Sequence, residues 1–158
     1  MGDPIILNQQ QLNELLAYWQ VLLRLRDWDI KIAIKRTRDF KFDEAAGETT
    51  WLLAKKMAVI TIVDPADYPP DSLWPQDMEM TLIHELVHLL LAYWTPERLS
   101  AEYDYQEQAI HTISQTLVRL QRGEFANAVA LNTILKNNFD WAEITGREDG
   151  IGNMVGNT

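Results

Sequence analysis

Two histidines four residues apart in an unbroken apolar run constrain this chain more than any other feature. His84-Glu85-Leu86-Val87-His88 lies inside the stretch Thr81 to Trp94. A helix brings residues four apart onto one face, so both imidazoles can reach one ion. The surroundings favour the helix. Residues 77–94 contain no Gly or Pro, Pro75 and Pro96 bracket them, and Asp77 and Glu79 place acid where a helix dipole favours it. The run is apolar nearly all round, which predicts a helix buried in the middle of a small domain.

The rest of the chain predicts an α+β domain around that helix. Asn8 reads as a helix N-cap, followed by Leu12, Leu15, Leu16, Trp19, Leu22 and Leu23 at helical spacing, so a first helix is expected to about Arg26. Residues 28–35 alternate apolar and polar and predict a half-buried strand. Gly47 precedes a second strand, about Glu48 to Leu53, and a turn near Lys55-Lys56 leads into a third, Met57 to Val63, close enough to form an antiparallel hairpin. Residues 67–75 read as a proline-rich connector. A last long helix is expected from about Ser100 to Arg122, ended by Gly123, with Tyr103, Glu107, Ile110, His111, Ser114, Leu117 and Val118 facing inward. We therefore expect a domain over residues 1–123. A C-terminal extension follows over residues 124–158, a short helix and then a glycine-containing flexible tail.

Composition removes several alternatives. The net charge of −9 argues against a nucleic-acid backbone as the main partner. Lys31, Lys35, Arg36, Arg38 and Lys41 read better as a solvated strand face than as a DNA site. With no cysteine there is no disulfide framework and no thiolate metal site. No signal peptide is evident, and no apolar stretch reaches the roughly 18 residues of a membrane span. A soluble cytoplasmic protein is the expectation.

The motif's chemistry is known in outline. His-Glu-x-x-His on a helix binds zinc through its histidines and uses the glutamate as general base in amide hydrolysis. A catalytic zinc usually has three protein ligands and an open position. A third histidine in a glycine turn just after the motif is absent here, since position 94 is Trp. The third ligand is then expected on the last helix, where Glu102, Asp104, Glu107 and His111 are the candidates. Glu107 is preferred, with His84, His88 and Glu107 holding one Zn2+ per chain and Glu85 as base. His111, one turn from Glu107, could orient a ligand, donate to a developing oxyanion, or simply pack. Tyr103 could stabilise a tetrahedral intermediate or serve as packing. A peptide or protein substrate could add as an extended strand to a sheet edge, for which Met57 to Val63 is the candidate. Two other readings stay open: a metal-binding module without turnover, and a latent protease that needs a partner or removal of its tail.

These residues resemble the zincin metallopeptidases, more closely the small gluzincin type, and among compact forms the SprT-like and ImmA/IrrE groups and small phage and prophage metallopeptidases. The resemblance rests on Thr81-Leu82-Ile83-His84-Glu85-Leu86-Val87-His88, the Gly47-led hairpin with Ala58-Val59-Ile60-Thr61-Ile62, and Glu107-Gln108-Ala109-Ile110-His111, and covers roughly residues 28–120. Position 87 is Val where ImmA/IrrE proteins commonly have Gly, and the SprT-like third histidine is missing. The resemblance implies a zincin-like fold, with His84 and His88 as metal ligands, Glu85 as base and Glu107 as the helix-borne glutamate. It implies metal-dependent peptide hydrolysis in the cytoplasm, without a particular substrate.

Overall fold

The structure is a computed structural model of the 158-residue chain and describes residues 3–41 and 45–124. The short helix and flexible tail expected over 124–158 lie outside the described residues but for Glu124. The described residues are α+β, with three α-helices and a three-stranded mixed sheet. The order is α1 (Gln9–Leu22), β1 (Asp29–Lys35), β2 (Gly47–Leu52), β3 (Met57–Val63), α2 (Met78–Leu90) and α3 (Ala101–Gln121).

Helix α1 begins where the sequence predicts. The Asn8 side chain accepts from the Gln11 N–H and the Gln11 side chain accepts from the Asn8 N–H, a reciprocal capping box. It ends four residues short of Arg26. Arg24 adopts a left-handed φ of 57°, and Gln20 Nε2 reaches forward to the Leu25 and Trp28 carbonyls, turning the chain toward β1. Leu12, Leu16 and Trp19 are buried, while Leu22 is exposed.

The strand order is β1-β3-β2, with β1 parallel and β2 antiparallel to β3. The expected hairpin is present, but β3 is the central strand, so Met57–Val63 is not a sheet edge. Among the described residues, the unpaired edges belong to β1 and β2. The physical reason is burial: Ile60, Thr61, Ile62 and Val63 are buried in succession, so the second half of β3 is covered on both faces, while Met57 and Val59 at its start are exposed.

Register places Ile30, Ile32 and Ile34 beside Ala58, Ile60 and Ile62, and these beside Trp51, Thr49 and Gly47. This face packs on the helices, α1 against β1 and α2 against β2 and β3. Helix α2 fills the space beneath it with Met78, Leu82, Ile83, Leu86, Val87 and Leu89 buried. Its start is fixed twice. Asp77 caps the Met80 N–H, and Ile5 bridges to Asp77, with the Ile5 N–H donating to the Gln76 carbonyl and the Met78 N–H donating to that of Ile5. No helix among the described residues is long and apolar enough to cross a membrane.

Candidate metal centre

Helix α2 carries His84 and His88 on one face and α3 brings Glu107 to meet them. His84 Nε2 and His88 Nε2 are 3.2 Å apart. Each nitrogen is 3.3 Å from an oxygen of Glu107, His84 from Oε2 and His88 from Oε1. Four ligands at tetrahedral zinc distances of about 2.0–2.1 Å stand about 3.3 Å from one another. The two ring nitrogens and the Glu107 carboxylate, with a different oxygen nearest each ring, therefore stand at spacings close to those of ligands around one such ion, and one ligand atom from each residue lies within 4.8 Å of the other two. The donor set agrees with the geometry: two imidazoles, one carboxylate and no thiolate suit a divalent transition metal with a position left over. The side chains keep 23%, 14% and 31% of their exposure for His84, His88 and Glu107, so solvent reaches the group.

Their protonation also fits. Burial pushes His88 below the usual histidine range, against the pull of Glu107, which favours the neutral ring a metal needs. The hydrogen bond to His84 holds the Glu107 carboxyl below its ordinary value; burial opposes this, while His88 and Tyr103 add to it.

Glu85 points elsewhere on the helix, toward the sheet. It is 5% exposed, and its Oε2 accepts a 2.6 Å hydrogen bond from Thr49 Oγ1 on β2. Burial pushes its carboxyl up to about 7, against the Thr49 hydrogen bond and the charge of His84. A buried carboxyl that ionises near neutral pH has the proton affinity expected of a general base. Gly47 makes room for it. A Cβ there would stand 2.6 Å from Thr81 Cγ2 and 2.9 Å from Glu85 Oε1, so the glycine is required by clearance.

The structure brings together His84, His88 and Glu107, with Tyr103 next to Glu107 and with Glu85 within reach of the charges of His84 and Glu107. Tyr103 donates its hydroxyl proton to Glu107, and burial, with that bond and the carboxylate charge, pushes its own ionisation up to about 12. His111 is not brought in: it is exposed and is no part of the three-residue group. The inward stripe of α3 runs through Tyr103, Glu107, Ile110, Ser114 and Val118, and His111 lies about 100° around the helix from Ile110. Glu102 and Asp104 are exposed in the first turn, as solvated charges near a helix start. Arg36 in the basic segment is paired with Asp67.

Thr49 and the tight approach of Gly47 escaped the sequence reading. Gly47 at the head of a strand was visible, but nothing local links residue 49 to residue 85. Compared with family models, curated proteins and solved structures, the chain matches none.

Proposed function

We propose that this protein is a zinc-dependent peptidase of zincin-like build, with His84, His88 and Glu107 as the metal ligands and Glu85 as general base. The observation that carries the reading is the meeting of His84, His88 and Glu107 from two helices, the rings 3.2 Å apart at Nε2 and each 3.3 Å from one of the two Glu107 oxygens, with a buried carboxyl next along the helix whose ionisation is raised to about 7. Bound there, zinc would make a coordinated water acidic near neutral pH and polarise a carbonyl. Glu85 would take the proton of the attacking water and return it to the leaving amine. Tyr103 holds the carboxylate of Glu107 in place through its hydroxyl.

The substrate edge in this reading is β2. The Val63 N–H donates to the Ala46 carbonyl, which sets the alternation along the hairpin. Glu48 and Thr50 then turn their peptide groups toward β3, and Gly47, Thr49 and Trp51 turn theirs to the free edge. An extended peptide added there would lie on the strand that touches Glu85.

Glu85→Gln tests the reading against that of a silent metal-binding module. Zinc content and cleavage of a mixed peptide pool are measured on both proteins. A peptidase keeps about one zinc per chain in the variant and loses hydrolysis by about a hundredfold or more. Zinc binding without hydrolysis in the unsubstituted chain favours the module instead.

A further inference from the structure

Glu85 is held by one strand, at two points two residues apart. Thr49 Oγ1 is 2.6 Å from Oε2, a short hydrogen bond of the charge-assisted kind. Oε1 lies over the bare backbone of Gly47, where a methyl group would be 2.9 Å away. Both positions face α2 because they alternate along β2, and β2 is itself fixed by pairing to β3, with Thr49 opposite Ile60 and Gly47 opposite Ile62. The preceding turn of α2 is constrained as well, since Thr81 Cγ2 would be 2.6 Å from that methyl group. A carboxylate on three rotatable bonds, 5% exposed, has few ways to be both buried and aimed.

We propose that Thr49 is the positioning residue of this site: its hydroxyl fixes one oxygen of Glu85 and so sets the orientation of the whole carboxylate, with Gly47 supplying the clearance that lets it lie against β2. Thr49 touches neither the ligand group nor a reacting atom; it acts through Glu85. This inference rests on the peptidase reading, which makes Glu85 the base.

The test uses the full chain loaded with zinc, in four forms: unsubstituted, Thr49→Val, Thr49→Ala and Thr49→Ser. Zinc affinity, binding of acetohydroxamate and peptide hydrolysis are measured on each. Acetohydroxamate chelates a metal through two oxygens and gives its proton to a neighbouring carboxylate, so its affinity reports how that carboxylate is placed without requiring turnover. Thr49→Val and Thr49→Ala are expected to keep zinc affinity within about threefold while acetohydroxamate binding weakens about tenfold to a hundredfold. Where hydrolysis is measurable, kcat falls by a similar factor with KM little changed, and Thr49→Ser restores both. Two variants guard against one that fails to fold. Unchanged acetohydroxamate binding in Val or Ala variants that bind zinc overturns the role of Thr49 and leaves the peptidase reading standing. Failure of the unsubstituted chain to bind zinc overturns both.

Discussion

Helices α2 and α3 together carry the His84, His88 and Glu107 group, yet they are held in opposite ways. Helix α2 buries Met78, Glu79, Leu82, Ile83, Glu85, Leu86, Val87 and Leu89 within 13 residues. Helix α3 buries only Ile110, Ser114 and Val118 within 21. The core fixes the two histidines whether or not anything binds them. Glu107 sits on a helix whose packing is one narrow stripe, and the nearest polar support it has is the ligand group itself and Tyr103. The difference implies a division of labour: α2 is part of the scaffold, and a bound ion would add most of its stabilisation by tying α3 to it.

The largest expected effect follows directly. Zinc at about a thousandfold excess over its Kd should stabilise the fold by about 4 kcal/mol. Hydrogen exchange should slow mainly in α3, around Glu107, and little in α2. Equal slowing in both helices would break the comparison.

Core truncation sharpens it from the other side. Leu82→Ala should cost about 2–5 kcal/mol in denaturant unfolding, because it opens a cavity beneath the sheet. Ile113→Ala, on the exposed side of α3, should fall within about 0.5 kcal/mol of the unsubstituted protein. Similar losses at the two positions would contradict the contrast.

Helix α2 also carries the site's raised carboxyl. The Glu85 carboxyl is raised to about 7 in the metal-free fold against an ordinary value of 4.5. The folded state therefore binds more protons than the unfolded chain between these values. The contribution to stability is fully present below pH 4.5 and is lost as pH rises through 7. Glu85→Gln should remove that slope, making the metal-free variant more stable than its parent at pH 8 by up to about 3 kcal/mol and nearly equal to it at pH 4.5. Thermal unfolding across that range checks it, and a parent that gains stability as pH rises from 5 to 8 relative to the variant would show the wrong sign.

The smallest effect concerns support of α3's ligand. Tyr103→Phe removes the hydroxyl that donates to Glu107 and should weaken zinc binding about tenfold, with little change in metal-free stability. Calorimetric zinc titration at fixed pH measures it.

Much of α2 was legible because its signals are local: Asp77 caps it, the apolar run continues through Leu91, and the histidine spacing is a property of any helix. Glu107 was legible from helical spacing and the chemistry of a missing third ligand. His111 was misplaced inward because a neighbour of Ile110 differs from it by about 100°, a distinction that turns on one residue of helix phase. The edge strand was misassigned for a different reason. Hairpin pairing follows from proximity in sequence, but the insertion of β3 between β1 and β2 is a parallel, long-range choice. The buried run Ile60-Thr61-Ile62-Val63 was the available sign of it. The Thr49–Glu85 bond joins residues 36 apart and has no local signature.

The central claim is that side chains from these two unequal helices meet at one divalent ion, and counting that ion tests it most directly. Zinc is titrated into the purified metal-free chain and into Glu107→Ala, with metal content confirmed by mass spectrometry. The account predicts one zinc per chain, and a loss of affinity in the variant greater than the tenfold to hundredfold typical of a merely supporting residue. No zinc bound, or equal affinity with Glu107 removed, would contradict it.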